Sequence, residues 1–159
     1  MTRYRIGEEV DGRLLVESDD GSYRAWHIAT PTEAAAIALA LSKPGLIAEL
    51  AAWRWGRETA GIEYQGQRIG TGRDDQAMLS SALQLAAFDP DRRIDWKTPD
   101  GWVQIDVPTL QAVGRAVGEH VQACFSAESR VAARIDALAA LEDCTEFDLA
   151  AAWAAEGGP

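Results

Sequence analysis

A chain of 159 residues with 47% apolar and 25% charged side chains has the size and balance of one globular domain with a small appendage. At this length a core forms without metal or disulfide staples, so the two cysteines, Cys124 and Cys144, are expected as unpaired core thiols. A net charge of −10 opposes the counterion displacement on which nucleic-acid binding depends, and only Arg92, Arg93 and Lys97 offer a basic cluster.

The N-terminal MTRYRIGEE carries no apolar core of a secretory leader, and no run approaches the ~18 consecutive apolar residues of a membrane span. Cytoplasmic synthesis without membrane insertion is the expectation. Residues 4–6, 13–17 and 22–28 alternate as three short strands, with Asp11-Gly12 and Asp19-Asp20-Gly21 as turn chemistry. Three strands alone are marginal, so this meander must pack on something else. Tyr23 and Trp26 fall on different faces of it.

Thr30, Pro31 and Glu33 are the cap, first-turn proline and reciprocal acid of a helix start. The spacing predicts an alanine-rich helix to about Ser42, ended by Lys43-Pro44-Gly45. A second helix is predicted over about 46–60, with Leu46, Leu50, Trp53 and Arg57 at helical spacing and Gly61 as its stop. Residues 62–69 read as a hairpin around Gln65-Gly66. Thr71, Asp74 or Asp75 can cap the next helix, which carries Met78, Leu79, Leu83, Leu85 and Ala86 to about Phe88. Asp89-Pro90-Asp91 stops it.

A second hairpin, 94–96 with 102–105, turns at Pro99-Asp100-Gly101 and runs into a helix capped by Asp106. At about 100° per residue, Leu110, Val113, Val117, Val121, Cys124, Val131 and Ile135 share one stripe of that helix. Gly114 and Gly118 sit beside the stripe, a spacing that suits close approach of one of the preceding alanine-rich helices. Glu128 falls near mid-stripe and would need a partner such as Arg54, Arg57 or an indole of Trp96 or Trp102, unless the stripe breaks at 126–129. Thr145 to Asp148 starts a short final helix to about Ala155, docked by Phe147 and Trp153. The sum is an α+β fold, predominantly helical, with short antiparallel β-hairpins and a long C-terminal helix. Its expected parts are an attachment segment at 1–30, a helical α+β domain at 31–145 and a terminal helix and tail at 146–159.

Chemistry-bearing patterns are sparse. His120 and Cys124, four apart, have metal-ligand spacing, but zinc needs three or four protein ligands and no second paired motif exists. Asp89, Asp91 and Asp95 lack calcium-loop spacing, Gly66, Gly70 and Gly72 precede no Lys-Ser/Thr, and no Gly-x-Ser-x-Gly occurs. No catalytic, cofactor-binding or metal residue is therefore assigned, and a non-enzymatic protein is expected. Six tryptophans are many for this length. Trp53 and Trp55 face different sides of one helix, and Trp96 and Trp102 flank one turn. With Tyr23 and Trp26 they are the partner-binding candidates, since large aromatics anchor interfaces.

The tract from Ala52-Trp53-Arg54-Trp55-Gly56-Arg57-Glu58, through Tyr64-Gln-Gly66, Ile94-Asp95-Trp96 and Trp102 to Asp106, to His120–Phe125 resembles a domain found in phage and prophage tail and tail-fibre proteins. The resemblance covers about residues 47–142. It implies a tail tip, baseplate or fibre component within a virion assembled in host cytoplasm, with other tail proteins as partners and homo-oligomerisation as a further possibility. A fibre-assembly chaperone absent from the mature particle is the alternative, and a small cell-wall hydrolase accessory is a third. The resemblance carries no catalytic residues.

Overall fold

The computed structural model describes residues 4–10, 13–27, 30–98 and 101–159, with backbone only at residues 8 and 9. In chain order the elements are β1 (Tyr4–Val10), β2 (Arg13–Ser18), β3 (Arg24–His27), α1 (Pro31–Glu58), β4 (Ile62–Tyr64), β5 (Gln67–Ile69), α2 (Arg73–Ala86), β6 (Arg93–Thr98), β7 (Gly101–Asp106), α3 (Val107–Asp136), α4 (Leu141–Thr145) and α5 (Leu149–Ala155). This is the α+β, mostly helical architecture with short antiparallel strand pairs and a long helix. Two compact units form from chain-distant segments. One holds Met1–Trp53 with Ala127–Gly157, and the other Arg54–Ser126 with the last two residues.

In the first unit β1, β2 and β3 form an antiparallel sheet in that order, with a register shift between Ile6 and Glu9. Central β2 buries Leu14, Leu15 and Val16 in succession, and Leu14 and Val16 share a core with Ala34 and Ala38 of α1. The β2–β3 turn is built locally: Asp20 Oδ1 accepts from Ser22 N at 2.9 Å, and Gly21 takes φ +72. The Asp11-Gly12 turn and Ile28 lie outside the described residues.

Helix α1 begins with the full capping box. Thr30 N donates to Glu33 Oε2 at 2.8 Å, and Glu33 N donates to Thr30 Oγ1 at 3.3 Å. The predicted break at Lys43-Pro44-Gly45 does not occur; Pro44 lies inside one 28-residue helix. The reason is a single buried row at four-residue spacing, Ala34, Ala38, Ser42, Leu46 and Leu50, that passes straight through the proline. An interior proline costs about 3 kcal/mol, while burying a leucine returns roughly 1.5–3 kcal/mol, so Leu46 and Leu50 together outweigh it. Pro44 itself is exposed, Ser42 Oγ donates to Ala38 O at 2.8 Å, and Lys43 Nζ donates to Asp136 O at 2.7 Å at the end of α3. By length and composition α1 is apolar enough to cross a membrane; its buried row uses that apolarity inside the fold.

In the second unit β4 and β5 close through Gln65 and Gly66, both at positive φ (51° and 75°), the conformation of a two-residue hairpin turn. β6 and β7 pair from Arg93↔Asp106 to Thr98↔Gly101, while Pro99 and Asp100 lie outside the described residues. Leu79 and Ala86 of α2 and Val107, Leu110, Val113 and Val117 of α3 form the core, flanked by Ile62, Ile69, Ile94, Trp96 and Ile105. Within the predicted stripe of α3 all are buried except half-buried Val121. The two glycines divide. A Cβ on Gly114 would sit 2.7 Å from Leu83 Cδ1, so the close neighbour is α2, whereas Gly118 faces open space. Glu128 is half-buried on the flank; the buried slot beside it belongs to Ala127.

Asp106 caps α3, its Oδ1 accepting from Thr109 N at 2.9 Å. Hydrogen bonds from the Thr109 hydroxyl and amide hold the Asp106 carboxyl below its usual range. A depressed folded-state pKa contributes stability above the unfolded value and loses it as pH falls through the folded one. The wild type is therefore expected to lose more stability than Asp106→Asn between about pH 6 and about pH 3, as read by denaturant titrations at stepped pH. Equal slopes would remove the cap's charge from the account.

Candidate interaction site

Glu58, at the last turn of α1, is 0% exposed, yet it carries a carboxylate. Such a group must be paired where it lies. One oxygen meets the Arg54 guanidinium one turn back; the other lies 2.9 Å from Arg73 Nη2 and 3.3 Å from Gln76 Nε2. Buried Thr71 donates its hydroxyl to the Glu58 carbonyl and accepts from Gly61 N at 2.9 Å. Gln76 Nε2 also reaches Thr71 O at 2.8 Å. The orphan carbonyl at the end of α1 and the start of α2 are thus joined by one hydrogen-bonded knot. The N-cap of α2 is Gly72, none of the three residues weighed; Asp75, two residues into the helix, accepts from Gly72 N at 3.0 Å, and Thr71 is drawn to Glu58.

The knot orders an aromatic face. Arg54 Cζ lies 4.7 Å from the Phe125 ring centroid and 5.9 Å from that of Trp55, and Arg73 Cζ lies 5.2 Å from Trp55 on its own account. Guanidinium and ring therefore alternate as Phe125, Arg54, Trp55, Arg73. Trp55 remains 47% exposed and Phe125 39%. Each contact is of the cation–π kind, worth about 0.5–1 kcal/mol where exposed. Because Glu58 grips both guanidiniums, much of their rotamer freedom is already lost before any partner arrives.

The other sequence candidates scatter. Trp26 is exposed on β3, while Tyr23, on the opposite face, packs edge-on against Tyr4 at 5.6 Å between centroids and shares a 3.2 Å hydrogen bond with His27 Nε2. Trp53 is half-buried in the first unit. Trp96 is half-buried against the second core, and Trp102, on the paired strand, is 73% exposed. The structure brings Trp96 and Trp102 together in the wall of one cleft and leaves Tyr23, Trp26, Trp53 and Trp55 elsewhere. Sequence reasoning weighed a buried, partnered carboxylate at Glu128 against a break in the stripe, and passed over Glu58, Arg73, Thr71 and Gln76. The one local signal was the four-residue spacing of Arg54 and Glu58.

His120 Nε2 lies 3.1 Å from Arg57 O and 3.9 Å from Cys124 Sγ, on the flank of α3. Among the described residues no three metal-ligating side chains come together. Burial first, and then the Glu58 charge, pushes the Cys124 thiol up; burial does the same for Cys144. Both thiols are free and buried. A disulfide-exchange reagent at neutral pH is expected to titrate them slowly in the native protein and both at once in denaturant. Prompt native labelling of either would mean that its environment opens readily.

The family model described as Domain of unknown function (DUF4376) matches residues 41–152, well over half of the chain. It overlaps the tract from which the tail resemblance was drawn, and its description names no activity. No curated protein and no solved structure matches.

Proposed function

We propose that this chain, which belongs to the DUF4376 family, is a non-enzymatic interaction protein: a structural or attachment component of a phage tail tip, baseplate or tail fibre. The observation that supports an interaction role is the alternating Phe125–Arg54–Trp55–Arg73 face, with Phe125, Trp55 and Arg73 half-exposed, Arg54 mostly buried and both guanidiniums held by a buried carboxylate. Tryptophan and arginine are the residues most enriched among interface hot spots. Pre-ordered side chains lose little entropy on docking, which turns exposed aromatic area into affinity. The tail setting rests on the sequence resemblance over about residues 47–142.

Mass spectrometry of purified virions tests the reading. Peptides of this chain at stoichiometric yield, with Trp55→Ala particles depleted of it, are the expected result. Abundant chain in the infected lysate with none in virions would favour a fibre-assembly chaperone. Clearing of peptidoglycan by the purified chain in a zymogram would replace the non-enzymatic reading altogether.

A further inference from the structure

A cleft of about 670 Å³ opens on the second unit, walled by β5, the first turns of α2 and the β6–β7 hairpin. Its apolar wall includes Trp96, Trp102, Met78, Leu79 and Ile69, and its charged groups are Arg68, Lys97, Asp75 and Asp95. Two cations and two carboxylates leave the lining without net charge. The volume is that of a small-ligand site. Trp102 stands on its rim with 73% of its surface open to solvent.

Each charged group is oriented by one neighbour. Arg68 Nη2 donates to Ala60 O at 2.8 Å, Asp75 Oδ2 accepts from Gly72 N at 3.0 Å, Asp95 Oδ1 accepts from Gln104 Nε2 at 3.2 Å, and Lys97 Nζ lies 6.0 Å from the Trp102 centroid. These contacts use only part of what a guanidinium, an ammonium and two carboxylates can offer, so donors and acceptors remain for a ligand. At Gly70 a Cβ would collide with the Asp75 carboxylate; the glycine is what lets that acid lie against the cleft floor.

The lining narrows the chemistry. A charged ligand would meet as many like charges as unlike ones. A wholly apolar ligand would strip water from four ionised groups without replacing it, which is costly. A pyranose satisfies both constraints. Its axial C–H groups form an apolar face that suits the negative face of an indole, and its hydroxyls both donate and accept. We propose that this cleft binds a neutral oligosaccharide, with one sugar ring stacked on Trp102 and its hydroxyls met by Asp95, Lys97 and the groups on the opposite wall.

The proposal goes beyond the tail reading and does not depend on it, since virion proteomics decides one and solution binding the other. The 159-residue chain is titrated with cellotriose, maltotriose and tri-N-acetylchitotriose, followed by tryptophan fluorescence and amide shifts. A saturable response to at least one is expected, and which one separates a hexose ligand from an N-acetylhexosamine ligand. Trp102→Ala, at an exposed position that the fold does not need, is expected to weaken it on the order of tenfold, and Asp95→Asn less. Phe88→Ala, at an exposed position outside the cleft lining, leaves it unchanged. No saturable response to any of the three up to about 10 mM, or equal binding by Trp102→Ala, would overturn the assignment. So would a loss shared by Phe88→Ala.

Discussion

Replacing Glu58 with alanine is expected to destabilise the protein by about 3–5 kcal/mol, the range for removing one partner of a buried ion pair. The loss comes mainly from Arg54, whose side chain is mostly buried and would lose the carboxylate it faces. Arg73 is half-exposed and can turn toward water, so its share is small. Glu58→Gln keeps the volume and one acceptor and should fall between wild type and Glu58→Ala. A Glu58→Leu, Arg54→Met double variant should recover part of the loss, because apolar replacement of a whole buried pair is often neutral. Denaturant midpoints at constant m-value measure all three. For a chain of this size the drop corresponds to a fall in Tm on the order of 10 °C. Hydrogen exchange should place the loss at the α1 end and α2. A change below about 1 kcal/mol would mean that water reaches the carboxylate and the pair is no stronger than a surface one.

Trp153→Ala, in the other unit, is expected to cost a similar amount, about 3–5 kcal/mol for deleting a buried tryptophan. The residue is 2% exposed and belongs to α5, a helix of seven residues. Helices shorter than ~12–15 residues are marginal in isolation. The Asp148 cap, Oδ1 accepting from Ala151 N at 2.9 Å, contributes only about 1 kcal/mol. Burial of Leu149, Ala152 and Trp153 therefore holds α5 in place. The ion pairs beyond it, Arg130 Nε to Glu156 Oε2 at 3.3 Å and Arg134 Nη1 to Glu156 Oε1 at 3.6 Å, are half-exposed and cannot compensate. The variant should lose exchange protection throughout α5 and become sensitive to protease near residues 146–148. Arg130→Ala should do neither. Retained protection in Trp153→Ala would mean that the helix is held by something other than its indole.

Glu58 also marks where sequence reading stopped. Much that is decided between near neighbours was legible: the Thr30–Glu33 box, the Asp106 cap, the Gln65-Gly66 turn and the buried stripe of α3. Each depends on a few consecutive residues or one helical period, so local chemistry suffices. The last helix, read as starting from Thr145, instead starts at Asp148, and Thr145 ends α4. Trp53 and Trp55 read alike as partner anchors, and the structure half-buries one and exposes the other, while Trp153, read as a docking residue, is buried. Pro44 read as a stop because its local cost is certain, while the row of leucines that outweighs it acts only when something covers it. Glu58 meets Arg73 fifteen positions later and Gly114 meets Leu83 thirty-one earlier, and no periodicity announces either. Local propensity and pattern are written in the chain; which side chains lose their water, and against whom, is settled only when distant segments close on one another.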